Sequence, residues 1–152
     1  MSDLRALYQG VVLDHYRRPR HYGALPGATH AEGGHNPSCG DSLQLMLRLK
    51  GGVIEAVGFT AQGCAVSVAS ASLMTTLLPG QTVAQALALA ERFSAMLQSG
   101  EPDPALGDSS VLSGIHALPA RVKCAALGWQ TLRVMLERPP EGGQKGKAEE
   151  AR

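Results

Sequence analysis

A chain of 152 residues suits one domain and buries enough surface, roughly 68–70% of what the unfolded chain exposes, to fold without a disulfide or metal staple. Hydrophobic residues make up 44%, and 14 Lys+Arg stand against 13 Asp+Glu, which leaves no electrostatic case for a nucleic-acid or anionic-membrane partner. No apolar run reaches the roughly 18 residues of a membrane span, and Met1-Ser2-Asp3-Leu4-Arg5 lacks the basic-then-apolar order of a signal peptide, so a soluble cytoplasmic protein is expected.

Leu4, Leu7, Tyr8, Val11, Val12 and His15 recur at helical spacing, and the spacing predicts an amphipathic helix over 3–17 with Asp3 as N-cap. Arg17, Arg18, Arg20 and His21 form the densest basic cluster and read as a solvated helix end. Pro19, Gly23, Pro26 and Gly27 then enforce an irregular stretch. The signal for an edge strand near 28–34 is weak. Leu43, Leu45, Leu47 and Leu49 alternate as in a half-buried strand, Gly51-Gly52 marks a hairpin turn, and 53–61 returns as the partner strand. Ala65 to Leu78, rich in Ala, Ser, Val and Leu, predicts a buried helix stopped at Pro79-Gly80. Thr82 and Gln85 form a capping-box pattern opening a helix to about Leu97. Gly100 to Ser110 reads as a loop, Val111 to Ala117 as a short helical turn, and Pro119 as the start of a last helix through about Arg138. The expected organisation is a single α+β domain over 1–138, a small antiparallel sheet of about three strands with helices on one face, followed by a disordered tail over 139–152.

Three short stretches carry chemistry. In Asn36-Pro37-Ser38-Cys39-Gly40-Asp41 two potential ligands sit two apart, just before a strand. Gln62-Gly63-Cys64 places a thiol near a helix N-terminus, whose partial positive charge stabilises a thiolate. Lys123-Cys124 falls in the first turns of the last helix, with Arg121 close by. No pair is a CxxC, and by spacing alone the three cysteines read as small buried hydrophobes. Their contexts oppose that reading, because each flanks Gly, Pro, Asp, Lys or an element end. Three thiolates and a carboxylate complete a tetrahedral zinc site, and the same soft set suits iron–sulfur clusters. His30, His35 and His116 show no paired spacing and read as surface or capping residues. Asp14 and His15 read equally as partner-facing groups or as helix-end hydrogen bonds. Met74, Met96 and Met135 read as core fillers. Ser67, Ser70 and Ser72 read as small residues for close helix packing. No general acid–base constellation or cofactor motif marks an independent enzyme.

Together with Phe59-Thr60-Ala61-Gln62-Gly63-Cys64-Ala65-Val66-Ser67-Val68-Ala69-Ser70-Ala71-Ser72 and Arg121-Val122-Lys123-Cys124-Ala125-Ala126-Leu127, the first motif resembles the IscU/SufU family of U-type iron–sulfur cluster assembly proteins. Leu13-Asp14-His15-Tyr16-Arg17-Arg18-Pro19-Arg20 resembles its N-terminal segment, and the resemblance spans residues 4–136. It implies a SufE/IscU-like fold with a metal site at one sheet end, held by Cys39, Asp41, Cys64 and Cys124. The IscU branch usually carries a histidine before the third cysteine; Lys123 there, and the long stretch between Cys64 and Cys124, are similar to the SufU branch. That branch implies bound zinc (Zn2+) and a SufS-type cysteine desulfurase as sulfur donor, with Cys39 as acceptor and Arg121 and Lys123 as auxiliary candidates. The chain would then be at most a sulfurtransferase acting with its desulfurase. The alternatives are a scaffold that holds iron or an Fe–S cluster and passes it to apo-proteins or other assembly factors, and a purely structural zinc module.

Overall fold

The computed structural model of the chain describes residues 8–37 and 40–137. The expected N-cap Asp3, the acceptor Cys39 and the tail over 139–152 lie outside the described residues. A π-helical turn, Tyr8–Val12, runs directly into a short helix, α1 (Leu13–Arg17). Three strands follow, β1 (His30–Asn36), β2 (Asp41–Lys50) and β3 (Val53–Gln62), then α2 (Ala65–Leu77), α3 (Val83–Ser99), a 3-10 segment (Pro104–Ala117) and α4 (Pro119–Glu137).

The strands form one antiparallel sheet in the order β1-β2-β3, joined between β2 and β3 through Gly51 and Gly52, both at positive φ. On β2, Asp41, Leu43, Leu45 and Leu47 all point to the buried face. The leucine alternation therefore continues one step back to the carboxylate, and the pleat turns Asp41 inward like its apolar neighbours. The helices cover this face. Phe59 of β3, Leu73 and Met74 of α2, Phe93 of α3 and Leu132 of α4 are almost fully buried in a continuous core, and Phe93 stacks on Trp129 with ring centroids 5.4 Å apart.

Two glycines set the depth at which α4 lies. A Cβ at Gly34 of β1 would collide with Thr131 of α4, and one at Gly128 would come to 3.4 Å from the Cα of Ala71 on α2. The missing side chains let α4 press against the sheet edge and against α2. The outer edge of β3 is closed at both ends. Phe59 N–H donates to His21 O and Gly23 N–H to Phe59 O, while Ile54 N–H donates to Gln81 O. Such cover removes most of an otherwise open pairing edge.

The expected loop over 100–110 is corrected from Pro104 onward, where the chain is helical through Ala117. Asp103 caps it by accepting Ala105 N–H, Pro104 presets φ, and Leu106 and Leu112 are fully buried. Gly107 breaks the run with φ 55 and ψ −135, so neither half is long enough to display helical periodicity. The small-residue reading of the serines also needs correction. Ser70 Oγ donates to Ala125 O of α4, and Ser72 Oγ anchors the N-terminal segment.

Candidate metal centre

Asp41 opens β2 on the core face, Cys64 caps the N-terminus of α2, and Cys124 lies in the second turn of α4. The two helices and the sheet end converge there, so one ligand atom from each residue lies within 4.8 Å of the others. Asp41 and Cys124 are fully buried and Cys64 is half-buried. Three positions far apart in sequence thus form one cluster.

The carboxylate is divided in its bonding. Its Oδ1 accepts the Cys64 N–H at 3.0 Å, while Oδ2 is buried with no hydrogen-bond partner among the described residues. An unpaired buried carboxylate oxygen is costly in a metal-free protein, and it is what a cation would satisfy. The donor set fits a divalent metal: two sulfurs of a soft type with one hard oxygen leave one position of a tetrahedron.

Arg121 stands one helical turn before Cys124 on α4. Its guanidinium donates to the Cys124 sulfur and lies in the field of Cys64, and these contacts hold its pKa above the ordinary arginine value. Lys123 is exposed and outside the cluster. The histidines also stay away from it. His35 is exposed on the open face of the sheet, His116 Nδ1 meets Leu97 O at 3.0 Å beyond the end of α3, and His30 pairs with Thr29. Burial holds the His30 pKa below its ordinary value. Cys39, which sequence places two residues before Asp41, lies outside the described residues.

A second polar cluster ties α1 to α2. His15, 5% exposed, has Nδ1 at 2.7 Å from Ser72 Oγ, which also accepts the Arg20 N–H at 2.8 Å. With that lone pair engaged, the network is satisfied when the Ser72 O–H donates to a neutral His15. Thr75 O–H donates to Ser72 O, so His21 Nδ1–H donates to Thr75 Oγ1 at 3.0 Å. Asp14 takes Arg18 and Arg20 at 2.8 and 2.6 Å. The helix-end hydrogen bonds expected at Asp14 are present, and His15 ties α1 to α2.

A three-stranded antiparallel sheet covered by helices on one face, with an Asp/Cys/Cys cluster at one sheet end, defines a class of small α+β domains with a candidate metal site. The model of the NifU-like N terminal domain matches residues 7–134, and the chain belongs to this family, which includes the IscU and SufU proteins of iron–sulfur cluster assembly. The chain is 40% identical over 133 residues to the zinc-dependent sulfurtransferase SufU of Bacillus subtilis, covering 86% of this chain and 90% of that one. It is likewise 40% identical over 141 residues to the iron–sulfur cluster assembly scaffold protein IscU of Streptococcus pyogenes serotype M1, covering 91% and 87%. The fold also matches the crystal structure of a SUF-system scaffold candidate from Fervidobacterium islandicum AW-1, with a TM-score of 0.80, 32% identity, and 87% and 98% of the two chains covered. No helix among the described residues is long and apolar enough to cross a membrane.

Proposed function

We propose that this chain serves iron–sulfur cluster assembly as a sulfur acceptor, taking persulfide sulfur from a SufS-type cysteine desulfurase in the reducing cytoplasm. The observation that carries the reading is the buried Asp41 Oδ2, without a hydrogen-bond partner among the described residues and beside the sulfurs of Cys64 and Cys124. Cys39, two residues before Asp41 in sequence, is the fourth ligand of the proposed set. Zinc bound there would keep the sulfurs as thiolates and shield them from oxidation.

The chain's own residues divide the work. Asp41, Cys64 and Cys124 are carried on a strand, a helix cap and a helix, and they hold the centre. Cys39, which falls between Asn36 and Asp41 in sequence, acts as the acceptor. Its thiolate attacks the outer sulfur of the desulfurase persulfide. The S–S bond breaks, its electron pair leaves on the desulfurase cysteine, and a new S–S bond forms on Cys39 with no net oxidation. Arg121 donates to the Cys124 sulfur and offsets negative charge in the cluster. Lys123 supports the acceptor reading by its type, since the IscU branch usually carries a histidine there.

Metal analysis of untagged protein purified without added iron, followed by a desulfurase assay with sulfur-labelled cysteine, tests this reading. About one zinc per chain, with label on the wild type but not on Cys39→Ala, is the expected result. Label retained by Cys39→Ala would sink the acceptor assignment. The likeness to the streptococcal IscU favours a second reading, in which a cluster is built on the same residues as cargo. Iron with acid-labile sulfide, transferable to an apo-protein and without desulfurase stimulation, would establish that one. Unfolding on chelation with neither activity would leave a structural zinc module.

A further inference from the structure

The Asp41 side chain meets the backbone at the start of α2 as well as the two cysteine sulfurs. Its Oδ1 is bonded to the Cys64 N–H, and its carboxylate lies over the Cα of Gly63. A Cβ at Gly63 would collide with Oδ1 and would come to 3.0 Å from Cγ and 3.1 Å from Cβ of Asp41, and these are the three atoms nearest to it. Gly63 is not among the glycines at positive φ, so alanine adopts its backbone conformation without strain. The Asp41 side chain is therefore the obstacle to a side chain at position 63.

We propose that Gly63 is a positioning residue for the metal centre, admitting the Asp41 carboxylate against the start of α2 so that Asp41 offers Oδ2 alone. The proposal rests on the metal-site reading above and adds a geometry to it. The backbone of Asp41 is held in the sheet opposite Asn36, so the collision with Oδ1 is relieved most cheaply by rotating the Asp41 side chain. That rotation breaks the bond to Cys64 N–H and withdraws Oδ2 from the two sulfurs. Asp41 then acts as a one-oxygen ligand because its other oxygen is already engaged by the backbone of the next ligand in the chain.

The test is a double-mutant cycle of Gly63→Ala and Asp41→Ala in the full chain, read by the visible spectrum of cobalt(II)-loaded protein and by competition against a chromophoric zinc chelator. Far-UV circular dichroism of the metal-free proteins reports folding. Gly63→Ala should alter the cobalt ligand-field bands and weaken metal binding by roughly 10-fold or more, the scale of losing a ligand-orienting contact. Added to Asp41→Ala, the same change should have a much smaller effect, because no carboxylate remains to be displaced and only the 3.1 Å approach to the Cβ of residue 41 persists. A Gly63→Ala protein with the wild-type spectrum and affinity overturns the proposal. So does an undiminished loss from Gly63→Ala in the Asp41→Ala background, the arm that decides if the single variant fails to fold. A wild-type chain that takes up no cobalt overturns the metal-site reading itself, and the role of Gly63 falls with it.

Discussion

The two ends of α2 treat buried polar groups in opposite ways. Toward its C-terminus, Ser72 and Thr75 meet His15, His21 and the backbone of Arg20, and each of those side chains has a partner. At its N-terminal end, Asp41 Oδ2 of β2 and Ser67 Oγ in the first turn are buried with no hydrogen-bond partner among the described residues. A satisfied buried network holds a structure together, whereas an unsatisfied one lowers stability until something binds it. The first pattern is a fastening and the second a candidate receptor site, the first drawing on side chains of α2 and the N-terminal segment, the second on β2 and α4 as well. Altering the receptor end should change metal binding and leave the fold, and altering the fastened end should do the reverse.

The largest effect belongs to the sulfurs. Cys64→Ser and Cys124→Ala should lower the metal content of purified protein to background. Their thermal midpoints should match that of wild type after chelation, which itself loses about 4 kcal/mol when metal is present at a thousandfold excess over its dissociation constant. A variant retaining full metal would remove that residue from the ligand set. Asp41→Asn should act unequally on the two states. The amide keeps an oxygen for Cys64 N–H and removes the buried charge. The metal-free protein should therefore lose less stability than the metal-bound protein, since an unpaired amide is cheaper to bury than an unpaired charge, while metal affinity falls. An equal loss in both states, measured by urea titration with and without zinc, would mean that Asp41 belongs to the scaffold.

Much of this contrast was legible in the sequence at the receptor end and little of it at the fastened end. The leucine alternation, the Gly51-Gly52 turn and the Thr82/Gln85 capping box all rest on local chemistry, and the structure carries each of them; Thr82 Oγ1 accepts Gln85 N–H at 3.1 Å while Gln85 Oε1 accepts Thr82 N–H at 2.9 Å. The ligand motifs were legible because each cysteine stands beside a chain-bending or charged residue. β1 was faint because His-Ala-Glu-Gly-Gly-His-Asn holds no β-branched residue, and its glycine answers to Thr131, nearly a hundred residues away in the chain. The pairing of His15 with Ser72 spans 57 positions, so no window of sequence contains it. Arg121 is exposed, and only a helix beginning at Pro119 brings its guanidinium around to Cys124.

At the fastened end, Ser72→Ala removes the hydroxyl shared by His15 and Arg20. It should cost about 1–3 kcal/mol, since two groups lose their partner at once. Metal content should be unchanged. Loss of metal in a variant that still folds would join the two ends and break the contrast.

The smallest expected effect is an acid-limb change at Asp14. Hydrogen bonds from Arg20 and then Arg18 lower its pKa from 3.8 to about 2. A carboxyl depressed in the folded state stabilises the fold above its unfolded value and loses that contribution as pH falls through the folded value. Asp14→Asn should therefore lower the thermal midpoint slightly at neutral pH, and the difference from wild type should close between pH 3.8 and about 2. His15 acts earlier on the same limb. Burial, and then the charge of Arg20, lower its pKa below 6.5, so its contribution is complete above pH 6.5 and declines as pH falls toward the lowered value. Midpoints measured from pH 8 to pH 2 should thus show two losses in wild type, the upper one weakened in Ser72→Ala and the lower one reduced in Asp14→Asn, where Asp103, held below its ordinary value by Arg92, still contributes. Because Asp14 is more exposed to solvent than His15, added salt should shrink the lower loss more than the upper. Equal screening of the two would show that His15 answers to the charges around it more than to its burial.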